Sequence, residues 1–179
     1  MHGLTGAPVG TMTESRAWKR DVALWLGILM AFAATLPVLV AWAPQMTDYP
    51  SHLAAHRIML EHGINPFLTR YYNFHWEWTG NLGVNLLMVP LAPLLGLEAA
   101  SKFITWTIPL LTGLSFLSVV WALRGRIGIG ALLAFSTIWS PSLLMGFLNY
   151  SLSLALAMFT FAAWVRWEGW RWRTLVMIP

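Results

Sequence analysis

VALWLGILMAFAATLPVLVAWA, residues 22–43, carries no charged side chain. As an α-helix, a run of this length rises about 33 Å, enough to cross the roughly 30 Å hydrocarbon core of a bilayer. Arg16, Lys19 and Arg20 stand directly before it. Cations beside the first apolar segment hold that end in the cytoplasm. The run is longer than the core of a secretory signal, and more apolar segments follow it. Although Ala41-Trp42-Ala43 has the form of a cleavage site, an uncleaved helix is the better reading. Residues 1–21 are then a cytoplasmic tail, polar and disordered over 1–15, and 22–43 is the first transmembrane helix. Residues 44–80 become an extracytoplasmic loop.

The rest of the chain fits that solvent. Hydrophobic residues make up 58% of the 179 and charged residues 10%, against about 25% charged in a soluble domain. Most of the twelve tryptophans stand near the ends of apolar runs, where interfacial aromatic belts form. The net charge of +4 does not indicate nucleic acid, because the cations cluster at segment ends rather than along a phosphate-binding face. With no cysteine, disulfides, thiol nucleophiles and thiolate-held metals are excluded. The expected fold is an all-α, polytopic transmembrane helix bundle, with a short amphipathic helix in the extracytoplasmic loop.

Residues 81–179 supply the remaining helices: 82–97, broken by Pro90 and Pro93; 103–123; the short run 127–139; and 143–165. An apolar run opens at 174–179, as expected of the N-terminal part of a longer protein. The charges give two topologies. If every run crosses, Arg124, Arg126, Arg166, Arg171 and Arg173 fall outside, against the positive-inside rule. If 82–97 does not cross, all five fall inside.

The densest chemistry is Asp48-Tyr-Pro-Ser-His52-Leu-Ala-Ala-His56-Arg57. Pro50 suits a first helical turn and Gly63 a stop. On that helix His52 and His56, four residues apart, share a face, with Asp48 at its mouth. A carboxylate and two imidazoles so placed can hold a divalent metal or polarise a hydroxyl. The plainer alternatives are that Asp48 caps the helix and that the histidines are solvated at the interface. An i, i+4 histidine pair is also short of the ligands a metal site needs. Asn149-Tyr150-Ser151 interrupts the last long run. It reads either as a helix–helix hydrogen bond or as the lining of a polar pocket, and Glu77, Asn81 and Asn85 have the same two readings. Glu98 and Lys102, at i, i+4, are expected to pair.

The order of a basic N-terminus, one membrane helix, an acidic loop with a short helix, a proline-broken segment, Glu98-Ala-Ala-Ser-Lys-Phe103, a long helix and Arg124-Gly-Arg126 is similar to the N-terminal part of the GT-C superfamily of polytopic glycosyltransferases. The Asp48-Tyr-Pro-Ser-His52 and Gly146-Phe-Leu-Asn-Tyr150 runs resemble bacterial membrane proteins of that type. The resemblance spans about residues 20–175 in layout, and its motif-level match is the stretch around Asp48. It implies transfer of a sugar from a polyprenyl-phosphate donor at the extracytoplasmic face of a bacterial cell membrane. Asp48 would be the catalytic acidic residue, and His52, His56, Arg57, Asn149 and Tyr150 would bind substrate. Many members carry paired acidic residues, whereas Met46 and Pro50 flank Asp48 at two positions' distance. Two other classes remain beside this one: a transporter subunit with a path along 82–97 and Asn149, and a non-catalytic membrane scaffold.

Overall fold

A computed structural model describes residues 10–167. Every regular element among them is helical: α1 (Gly10–Ala33), α2 (Leu36–Val40), α3 (Tyr49–Glu61), α4 (Pro66–Tyr71), α5 (Gly83–Leu95), α6 (Leu97–Arg124), a 3-10 helix (Ile129–Thr137), α7 (Pro141–Met145) and α8 (Leu148–Arg166). Arg171, Arg173 and the apolar run at 174–179 lie outside the described residues. Val22–Val40, Leu97–Arg124 and Leu148–Arg166 are long and apolar enough to cross a membrane. The integral-membrane reading of the composition rests on these three stretches. Over 10–15 the expected disorder is replaced by helix, since α1 begins at Gly10 and carries the segment of Arg16, Lys19 and Arg20 on the same rod as the first span.

The first span bends where its chemistry requires. Pro37 cannot donate to the carbonyl four residues earlier, and α1 accordingly stops at Ala33 and α2 restarts at Leu36. The freed groups find partners: Thr35 Oγ1 donates to Phe32 O at 2.6 Å, and the Trp139 indole donates to Ala34 O at 3.0 Å. At the far end of α2, Lys102 Nζ donates to Ala41 O at 2.7 Å and Leu39 O at 3.3 Å. The expected Glu98–Lys102 pair is therefore replaced. Unsatisfied carbonyls at a helix C-terminus hold an ammonium better than an exposed carboxylate one turn away does.

These contacts fix the direction of each long helix. Gly27 lies against Leu117 and Gly113 against Ala31, so α1 and α6 are antiparallel. Ser115 meets Met158, and Trp121 meets Arg166, so α6 and α8 are parallel. The chain between them must return along the bundle. It does so through the 3-10 helix, whose Phe135 is buried against Ala31 and Leu117, and then through α7. Arg124, Arg126 and Arg166 thus gather at the end opposite Asp48, which is also the end where α1 begins. The single long run expected over 143–165 is broken at Gly146, which adopts φ +92° between α7 and α8. Asn149 consequently stands in the first turn of α8 rather than in mid-span.

Helix α5 has 13 residues, a rise of about 20 Å, short of a bilayer core. Its Val84, Met88 and Ala92 form one buried stripe against Ile104, Ile108 and Leu152. Both of its ends lie at the Asp48 end of the bundle. The first is bound to α8, and the second turns at Gly96 into α6, where Glu98 and Lys102 share a small cavity with Tyr49 and Trp42.

Candidate functional site

The site is assembled from three breaks between helices. The segment before α3 is stitched to the α7–α8 turn by Thr47 N–H donating to Leu144 O at 3.3 Å and Asp48 N–H to Met145 O at 3.0 Å. Gly146 packs against this segment so closely that a Cβ would lie 3.1 Å from both the nitrogen and the Cβ of Asp48. Its carbonyl accepts a hydrogen bond from His52 Nε2 at 3.0 Å, so that nitrogen carries the proton. Asp48 precedes α3 but its carboxylate makes no capping hydrogen bond with it. The simple capping role is therefore not taken up.

His52 and His56 stack with ring centroids 6.2 Å apart, as their spacing on one face predicts. His56 is 1% exposed, yet neither ring nitrogen meets a hydrogen-bond partner of good geometry. Burial pushes its imidazole below the usual histidine range. The neighbouring His52 adds to this, and Asn85 beside the ring offsets part of it. The ring is neutral at physiological pH, with unpaired nitrogens in a polar surround.

Asn149, in the first turn of α8, accepts a hydrogen bond at 2.7 Å from the backbone N–H of Val84. This is the helix–helix hydrogen bond that the sequence offered as the plainer reading. It satisfies one of the free donors at the start of α5. The same side chain lines the cavity, so the two readings coexist. Asn81, just before α5, holds a left-handed φ of +63°, a conformation asparagine tolerates better than most residues.

Asp48, His52, His56, Asn81, Asn85, Asn149 and Tyr150 surround one cavity of about 560 Å³, closed on its apolar side by Ala55, Phe147 and Leu148. Five of the six residues singled out from sequence meet here, although about 100 positions separate Asp48 from Asn149. Arg57 does not join them. It lies outside the cavity lining, is exposed, and pairs with Glu61 at 3.1 Å. One residue on from His56 is a rotation of about 100° around the helix, which turns it off the site face. Asn81 and Asn85, which carried the same two readings as Asn149, also line the cavity, whereas Glu77 does not. The Gly146 carbonyl, which sequence reading left out of the site, has no local signal, because its partner comes from another helix. Among the described residues no three His, Cys, Asp or Glu side chains converge to hold a metal ion, and His52 is already engaged by Gly146. The lining has one carboxylate and no Lys or Arg, which suits hydrogen bonding to hydroxyls better than binding an anion.

No family model, curated protein or solved structure matches the chain.

Proposed function

We propose that the chain is a GT-C-like glycosyltransferase, or part of one, with Asp48 as its general base. The observation that carries this reading is the cavity itself. It joins a carboxylate that its own helix leaves free to a neutral buried histidine, three asparagines and a tyrosine, beside helices apolar enough to lie in a bilayer. Asp48 would take the proton of an acceptor hydroxyl as that oxygen bonds to the sugar's anomeric carbon. The phosphate of a polyprenyl donor would leave with the electrons of the broken carbon–oxygen bond. The amides and His56 would orient hydroxyls. The fixed bond from His52 to Gly146 would keep the α3 face in register with α8. Arg57 has no part in this scheme.

The N-terminus lies in the cytoplasm in this reading, and the cavity opens at the extracytoplasmic face. The clustering of Arg124, Arg126 and Arg166 at the N-terminal end of the bundle supports this orientation. A transport path gains less support. The buried Thr105, Thr112 and Ser115 return their hydrogen bonds to carbonyls of their own helix instead of lining a channel.

The test is sugar transfer by membranes carrying the protein, with a panel of labelled polyprenyl-phosphate sugars. Asp48→Asn is expected to lower transfer by about 10²–10⁴-fold at equal expression, the usual contribution of a general base. Transfer undiminished in the variant overturns the assignment of Asp48.

A further inference from the structure

At the end of the bundle away from Asp48, a second cavity of about 440 Å³ opens between α1, α6 and α8. Its walls are Leu24, Ile28, Leu114, Leu117, Phe159 and Ile127, with Trp121 at the end nearest the arginines. Ser118 is also in the wall, but its hydroxyl donates to Leu114 O at 2.9 Å and offers the groove nothing polar. The walls come from all three of the stretches long and apolar enough to cross a membrane. In a bilayer the groove therefore faces acyl chains. The Arg166 guanidinium lies 4.1 Å from the centroid of the Trp121 ring. A guanidinium stacked on an indole is held in place, and the edge of its planar fork remains suited to phosphate oxygens. Arg124 and Arg126 are exposed just beyond Trp121. A chain-sized apolar slot that ends under three cations is complementary to a lipid with one acyl chain in the slot and a negative headgroup at its mouth.

We propose that this groove binds an anionic phospholipid, with its acyl chain along Leu117 and Phe159 and its phosphate on Arg166, supported by Arg124 and Arg126. The site is separate from the Asp48 cavity and does not depend on the glycosyltransferase reading. Native mass spectrometry of the protein, delipidated in detergent and then mixed with equal amounts of phosphatidylglycerol and phosphatidylcholine, tests it directly. Phosphatidylglycerol is expected to be retained at least tenfold better. Arg166→Gln should remove that preference by removing the phosphate contact. Ser118→Phe should remove retention of both lipids by filling the slot while leaving the arginines in place. Because the two variants act on opposite ends of the lipid, a folding defect in one does not spare the proposal. Equal retention of the two lipids by the native protein would overturn it, as would a phosphatidylglycerol preference that survives both variants. A Ser118→Cys variant that stays protected from an apolar maleimide in lipid-free detergent would also overturn it, since another segment of the chain would then fill the groove.

Discussion

Gly146 holds the site together through two properties that no other residue among those described combines. Its φ of +92° is one that side chains with a Cβ rarely adopt, and a Cβ there would press on the Asp48 backbone at 3.1 Å. Gly146→Ala is expected to cost about 1–3 kcal/mol in stability from backbone strain, with further loss from displacing Asp48. A lowered melting temperature in detergent would show it, and an unchanged one would mean that the turn can relax. His56 sets a pH dependence. Burial lowers its folded-state pKa below the unfolded value, so below the unfolded pKa of about 6.5 the unfolded chain binds a proton that the folded chain does not. Stability from this group is full above that pH and falls as pH drops from there towards the folded pKa. His56→Gln should flatten the melting temperature between pH 7 and pH 5 relative to the native protein. An unchanged slope would assign the dependence to another group. Asp48, His52 and His56 were legible in sequence because an i, i+4 spacing is local. Gly146 was not, because what places it is a contact with another element.

Helices α5 and α8 are hydrogen-bonded at their starts through one side chain. Asn149 Oδ1 satisfies Val84 N–H at 2.7 Å in a buried setting. Asn149→Leu leaves that donor without a partner and is expected to destabilise the fold by about 1–3 kcal/mol. Asn149→Asp keeps an acceptor and adds negative charge at a helix N-terminus, where it is favoured, so its loss should be smaller. Chemical denaturation of the two variants in detergent would rank them. The reverse order would mean that burying the carboxylate costs more than the retained hydrogen bond contributes, since both variants lack the amide N–H₂. The same junction shows where pattern reading fails at this scale. The apolar run over 143–165 reads as one helix interrupted in polarity by Asn149-Tyr150-Ser151, and Gly146 does not mark the break because glycine is also common inside membrane helices. The Glu98–Lys102 spacing predicted a local pair, but the carbonyls of Leu39 and Ala41, about 60 residues earlier, compete better for Lys102. By contrast, the start of α4 is local, with Asn65 Oδ1 accepting from Phe67 N–H at 3.1 Å and Pro66 in the first turn.

The whole molecule bears on the question that charge counting left open. Composition alone called for membrane helices, and three qualify by length and apolarity. The number of crossings depends on 82–97, whose two prolines and short length suit either a crossing or a re-entrant segment shielded by protein. The geometry favours the second. Both ends of α5 sit at the Asp48 end, and α6 starts beside the close of the first span, where Lys102 meets Ala41. Crossings by the first span, α6, the 3-10–α7 return and α8 would then put the N-terminus, Arg126 and Arg166 on one side and Asp48 on the other, the distribution the positive-inside rule asks for. The chain contains no cysteine, so single cysteines report position without a background. Thr79→Cys, before α5, and Glu98→Cys, after it, are expected to react with a membrane-impermeant maleimide from the same face of intact cells, the outer one. Gly128→Cys is expected to react only once the membrane is opened. Labelling of positions 79 and 98 from opposite faces would mean that α5 crosses. Such a crossing is incompatible with the antiparallel packing of α1 and α6 and would overturn this arrangement of the bundle.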